Sequence, residues 1–222
     1  AVGKTVATVA LTRHLRQLGV HATACKPLAS DAAEHEGHLH NEDAQALYEA
    51  NDRQWPMPLI NPVRFAAALA PGVAAARLGL PVSHSALVSA MNLLADASEL
   101  LIVEGAGGIY VPVDENDMVL DMMQALDWPV LIVCRAGLGT LNHTTMTSVI
   151  IRQAGLRIAG IIMNHYPDDA DDVSRTDNHR WLQRMTGVPI CANLAAEGEL
   201  DMAPGTDLTR LAALPRPISD RA

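Results

Sequence analysis

The chain opens with Ala1-Val2-Gly3-Lys4-Thr5, and this stretch constrains everything after it. It reads as the last part of G-x-x-x-x-G-K-[ST]. In that loop, consecutive backbone N–H groups and a helix N-terminus face phosphates, the Lys reaches the outer phosphate oxygens, and the Ser/Thr hydroxyl ligates magnesium. Val2, Gly3, Lys4 and Thr5 are therefore the candidate nucleotide-binding residues. A bare GKT is weak by itself, but the sequence that follows strengthens it. Ala7, Leu11, Leu15 and Leu18 recur at helical spacing, Arg13, Arg16 and Gln17 take another face, and Gly19 closes the segment, so GKT opens an amphipathic helix. The strand that should feed such a loop would precede Ala1, so the expected sheet has its first strand missing from this chain.

The rest of the 222 residues fits one large domain better than two small ones. Only seven aromatics accompany a 49% apolar content, so the core must be aliphatic and Ala-rich, as suits helices packed on parallel strands. A formal charge of −9 argues against nucleic acid or an anionic membrane as a partner, because phosphate-rich surfaces reward the opposite sign. Any anion must be bound locally. Cys25, Cys134 and Cys191 form no C-x-x-C and read as buried thiols of a cytoplasmic protein. The most apolar stretch, Phe65 to Ala76, is too short to span a bilayer and contains Pro71 and Gly72.

Taken in order, Val20 to Leu28 reads as a strand, and Lys26-Pro27 puts a cation where open α/β sheets bind ligands, beyond the carboxyl ends of their strands. Asp31 to His40 carries His35, His38 and His40, but no second cluster completes a tetrahedral metal set, so the segment reads as a solvated, mobile loop. Asp43 sits near the start of a helix, ordinarily a capping place for an acid. Trp55 to Pro62, with three prolines, is a connection. A helix is expected over Ser85 to Ala97, then a short buried strand over Leu100 to Glu104. That strand runs into Val103-Glu104-Gly105-Ala106-Gly107-Gly108, where a terminal carboxylate and glycines can position magnesium near a close-lying phosphate.

Beyond it, Pro129 to Cys134 is a strand, Ala136 to Asn142 a loop, and Asn142 to Ala154 a helix stopped by Gly155. Strand Ile158 to Met163 ends in Asn164, helix Asp177 to Met185 and strand Pro189 to Ala192 follow, and the tail after Gly198 reads as loosely packed. Apolar runs alternating with helices give the βαβ rhythm of a parallel sheet with right-handed crossovers. The expectation is a single α/β domain, a three-layer sheet flanked by helices of the P-loop NTPase kind.

With these motifs in this order, the sequence resembles the dethiobiotin synthetase family. The match runs through AVGKT, CKPLAS (Cys25 to Ser30), NEDAQAL (Asn41 to Leu47), VEGAGGIYVPV (Val103 to Val113), LGTLNH (Leu138 to His143) and IAGIIMN (Ile158 to Asn164). The resemblance implies a homodimeric ATP- and Mg2+-dependent ligase. Carbon dioxide adds to one amine of 7,8-diaminopelargonate, ATP phosphorylates the carbamate, and the second amine closes the cyclic urea. It implies that Lys4 stabilises the transferring phosphoryl group, and Lys26 the carbamate and its phosphorylated form. Thr5, Asp43 and Glu104 hold magnesium, Ser30 hydrogen-bonds the carbamate region, and Asn164 reads the adenine edge. Backbone N–H groups of Gly139, Thr140, Leu141 and Asn142 bind the substrate carboxylate across the dimer interface. Two other readings stand beside it: a dimeric P-loop ATPase of the partition or iron-protein kind, and a truncated, non-catalytic nucleotide-binding module.

Overall fold

The computed structural model describes residues 2–165, 174–195 and 198–206. Helix α1, Lys4–Gln17, buries Ala7, Leu11 and Leu15. Strand β1, Ala22–Cys25, is fully buried, and β2 is the short Leu28–Ala29. Strands β3, Ala33–His35, and β4, His38–His40, form an antiparallel hairpin through Glu36 and Gly37, both at positive φ as a two-residue turn demands. The expected mobile loop is thus a hairpin, with its three histidines on an exposed ribbon. Among the described residues no cluster of three or more His, Cys, Asp or Glu could hold a metal.

Helix α2, Glu42–Ala50, starts at Asn41, whose side chain accepts from the Ala44 N–H. The proline-rich connection contains a single turn, α3, Met57–Ile60, tolerating Pro56 and Pro58 because early helical positions need no N–H partner. Strand β5, Val63–Arg64, pairs with β2. Helices α4, Pro71–Leu78, and α5, His84–Asp96, lead to β6, Leu100–Val103. Then come α6, Val119–Leu126, β7, Val130–Arg135, α7, Thr140–Gln153, β8, Ile158–Asn164, α8, Ser174–Thr186, β9, Ile190–Leu194, and β10, Leu200–Met202.

The parallel strands fall in two blocks. β1 pairs with β6, while β7, β8 and β9 pair in sequence with β10 antiparallel on the outside. Residues 200–202 of the expected loose tail are therefore part of the sheet, and the remainder from 207 lies outside the described residues. Successive residues of a strand point to opposite faces, and β8 shows what each face meets. Ile162 packs with Leu11 and Leu15 of α1, whereas Ile161 and Met163 pack with Ile151 of α7 and Leu182 of α8. Helices thus cover both faces, giving the three layers of a P-loop NTPase-like α/β fold. All three thiols are free and buried. Cys25 Sγ lies 3.3 Å from Met91 Sδ and Cys191 Sγ 3.2 Å from the Ile161 carbonyl.

Candidate active site

Gly3 caps α1 in a left-handed conformation, φ 88°, with no side chain closing the helix end and no acid in the first turn. The first intrahelical bond runs from the Ala7 N–H to the Gly3 carbonyl, so the N–H groups of Lys4, Thr5 and Val6 point outward without helical partners. They carry the positive end of the helix dipole and suit an anion. The loop is pinned from β8: the Asn164 side-chain amide donates to the Val2 carbonyl at 3.0 Å. A Cβ at Gly3 would lie 2.2 Å from that amide nitrogen, which is why this position takes glycine. Asn164, expected at an adenine edge, thus also holds the turn before α1.

Beside this helix end, residues far apart in sequence converge. Thr5 Oγ1 donates to Glu104 Oε1 at 2.7 Å, and Lys26 Nζ donates to the same oxygen at 2.9 Å and to Asp43 Oδ2. Each is placed by an element: Thr5 by the first turn of α1, Lys26 and Glu104 just past the neighbouring ends of β1 and β6, Asp43 by the first turn of α2. Lys26 is 8% exposed and Glu104 3%. Burial opposes the charge on Lys26, but Glu104 and Asp43 together outweigh it and hold its pKa above the ordinary lysine value. Burial likewise works against the Asp43 carboxylate, yet Lys26, with help from Thr5 and Lys4, pulls its pKa below the usual carboxylate range. Lys4 differs. Burial lowers its pKa, Lys26 adds to the effect, and Glu104 and Asp43 only partly oppose it.

One lone pair of this network stands open: Glu104 Oε2 is buried without a hydrogen-bond partner among the described residues, as is Ser30 Oγ. With the Thr5 hydroxyl and the Asp43 carboxylate, Glu104 makes a set of hard oxygen donors, the kind that binds magnesium together with substrate phosphates. The residues present therefore fit that ion.

Three asparagines that sequence reasoning passed over hold the site in shape. Asn41 donates to the Ser30 carbonyl while capping α2. Asn61 donates to the Lys26 and Val63 carbonyls. Asn178 of α8 donates to the Ala136 and Gly137 carbonyls and so ties down the loop before α7. That loop ends in Gly139, φ 92°, with no side-chain cap on α7. The Thr140 N–H reaches the Gly137 carbonyl at 3.3 Å and the Thr140 hydroxyl lies 3.3 Å from that of Thr144, which leaves Leu141 and Asn142 presenting backbone N–H groups at a second helix start. Leu138, beside it, is 93% exposed.

The AAA domain family matches residues 1–203. An ATP-dependent dethiobiotin synthetase BioD of Anaeromyxobacter sp. (strain Fw109-5) is 41% identical over 194 residues, covering 87% of this chain and 85% of that protein. The enzyme of the same name from Bacillus subtilis (strain 168) is 36% identical over 207 residues, 90% and 88% of the two chains. The chain belongs to the dethiobiotin synthetase family. Among solved structures, the septum site-determining protein MinD with Mg-ADP from Pyrococcus horikoshii superposes with a TM-score of 0.55 over 90% of this chain and 82% of that one, at 16% identity. That likeness carries the fold alone. It does not move the chain from the dethiobiotin synthetases to the partition-type ATPases, and Lys26-Pro27 and Val103 to Gly108 lie at the open end of α1. No described helix is long and apolar enough to cross a membrane.

Proposed function

We propose that this dethiobiotin synthetase is a cytoplasmic homodimer that closes the ureido ring of dethiobiotin from 7,8-diaminopelargonate, CO2 and ATP with Mg2+. One observation carries the reading: Thr5 and Glu104, 99 positions apart, are hydrogen-bonded beside the open N-terminus of α1, with Lys26 and Asp43 on the same carboxylate cluster.

The chemistry asks for placed positive charge. One amine of the substrate attacks CO2 and loses a proton to give a carbamate. A carbamate oxygen takes the γ-phosphoryl group, ADP leaves, and the second amine attacks the carbonyl carbon to expel phosphate. Every species after the first bond is anionic, so preorganised cations and N–H groups lower each barrier. The N–H groups of α1 and the Lys4 ammonium receive the polyphosphate. Lys26, its ammonium kept protonated by Glu104 and Asp43, faces the carbamate and its phosphorylated form, and Ser30 Oγ offers a hydrogen bond there. Asp43, Glu104 and Thr5 would hold magnesium, which when bound neutralises charge on the phosphate oxygens. The Leu141 and Asn142 N–H groups, with Gly139 and Thr140 shaping the turn, bind the substrate's carboxylate at the dimer interface.

The test supplies the protein with ATP, magnesium, 7,8-diaminopelargonate and 13C-bicarbonate. The expected result is dethiobiotin carrying 13C in its ureido carbonyl, with one ADP per ring. ADP release that does not depend on the diamine would overturn the proposal.

A further inference from the structure

Between Ser30 and Asn41 the chain leaves the sheet and returns to it beside the active site. Asn41 donates to the Ser30 carbonyl and draws the two ends together, and the excursion between them is the β3–β4 ribbon. The body of the protein holds this ribbon at several points. The Asp31 and Ala32 N–H groups donate to the Ala67 and Phe65 carbonyls, and Arg64 Nη1 donates to the Leu39 carbonyl. Glu36 and Gly37, both at positive φ, close it in a two-residue turn, and a turn of that kind fixes the register of its strands.

The register determines which side chains meet. His35 stands directly opposite His38, Glu34 opposite Leu39, and Ala33 opposite His40. Because side chains alternate along a strand, His35, His38 and His40 share one face with Ala33, while Glu34 and Leu39 take the other. All three histidines are exposed. Directly opposed Cβ atoms lie about 4.5–5.5 Å apart, a span from which two imidazoles can turn their nitrogens onto one ion at the roughly 2.0–2.1 Å of a zinc–nitrogen bond. His40 is two residues, about 7 Å, further along β4, and the residue facing it is an alanine with no donor. Among the described residues no three ligands converge, so the set is a pair with solvent completing the shell.

The surroundings favour a cation. Between Lys26 and Arg53 the sequence has no lysine or arginine, while Asp31, Glu34, Glu36 and Glu42 lie on or beside the ribbon. The donor type also separates this face from the magnesium set, since imidazole nitrogen suits zinc or nickel whereas Thr5, Asp43 and Glu104 offer oxygen. The three cysteines are buried and do not compete.

We propose that His35 and His38 form a bidentate site for a divalent transition ion of the zinc or nickel kind, on a ribbon rooted beside Ser30 and Asp43. The bound ion bridges β3 to β4 next to their turn and stiffens the ribbon. This site stands on the hairpin alone and is independent of the ring-closing reaction.

The experiment titrates the 222-residue chain, stripped of metal by a chelator, with ZnCl2 and separately with NiCl2 in excess Mg2+, by calorimetry. Amide hydrogen exchange is read at saturation. The expected result is one ion per chain that magnesium does not displace, with slower exchange across residues 33–40. His35→Ala and His38→Ala should each bind at least about tenfold more weakly, the lower end of what losing even an outer partner of a metal typically costs. His40→Ala, and His21→Ala away from the ribbon, should bind like the unaltered chain. The substituted side chains are exposed, so an unchanged Tm without metal checks that each variant is folded. Equal affinity in the unaltered chain and in the His35→Ala, His38→Ala double variant would overturn the proposal, because the ion would then sit elsewhere. So would a loss in His40→Ala with none in His35→Ala, which would put the ion along β4 alone, and so would an endpoint of one ion per two chains.

Discussion

At the level of single side chains, the site is a buried charge balance with Lys26 at its centre. Lys26→Ala should lower turnover by about 10²–10³-fold, the loss that follows removal of one preorganised donor. Nucleotide affinity, which depends on α1 and Lys4, should stay within a few-fold. The same change strands Glu104, and breaking a buried pair typically costs about 3–5 kcal/mol, so the variant should also melt earlier. Turnover and Kd measured side by side decide it: equal losses in both would remove Lys26 from the carbamate end. Gly3→Ala tests the other half of the site. At φ 88° and with its Cβ 2.2 Å from the Asn164 amide, alanine forces the loop or Asn164 to move. ADP affinity should fall at least tenfold, and an unchanged Kd would mean that phosphates bind elsewhere.

Among the secondary-structure elements, β1 owes its place to an asparagine. Asn51, fully buried, accepts from the Ala24 N–H and donates to the Ala24 carbonyl, both at 2.8 Å, doing for one edge of β1 what a neighbouring strand would do. Asn51→Ala orphans both groups, each costing about 1–3 kcal/mol. Urea unfolding should show that loss with an unchanged slope, and a shift under about 0.5 kcal/mol would be no more than a neutral surface change. This asparagine also shows where sequence reading ends. The runs LLIV, VLIVCR and IAGIIMN declare themselves as buried strands because nothing polar interrupts them. The convergence of Lys4, Thr5, Lys26, Asp43 and Glu104 is legible because each belongs to a multi-residue motif. A lone Asn has no pattern, so Asn51, Asn61 and Asn178 emerge only from the folded structure, whereas Asn41 stands at the head of a motif. Helix α6 hid for another reason: it follows a glycine-rich and acidic stretch, and its start is set by the Asp121 carboxylate accepting from the Met118 N–H. The β3–β4 hairpin has polar residues on both faces, so its strands lack alternation and only Glu36-Gly37 marks the turn.

For the molecule as a whole, the charge balance sets a pH window. The Asp43 pKa is depressed on folding, so its contribution is present above the ordinary carboxylate range and is lost as pH falls through its lowered folded value. The Lys26 pKa is raised, so its contribution is complete below the ordinary lysine value of 10.5 and is lost as pH rises through its higher folded value. Between those limits this pair gives a flat profile. Urea midpoints measured against pH should fall at both ends for the natural chain, with both limbs reduced in Lys26→Met. Identical limbs in the variant would place the titration elsewhere. The global architecture was legible as a layered α/β domain because helical and extended periodicities alternate.

The interior position of the three cysteines has a practical corollary. Burial pushes the Cys191 thiol up to about 11 and raises those of Cys25 and Cys134 as well, so at neutral pH none of them offers an appreciable thiolate. The native fold should therefore ignore maleimides and mild oxidants. A cysteine introduced on its surface away from the site, such as Leu93→Cys on α5, would become a unique attachment point for a fluorophore or spin label, with no need to strip the chain of its own sulfur first.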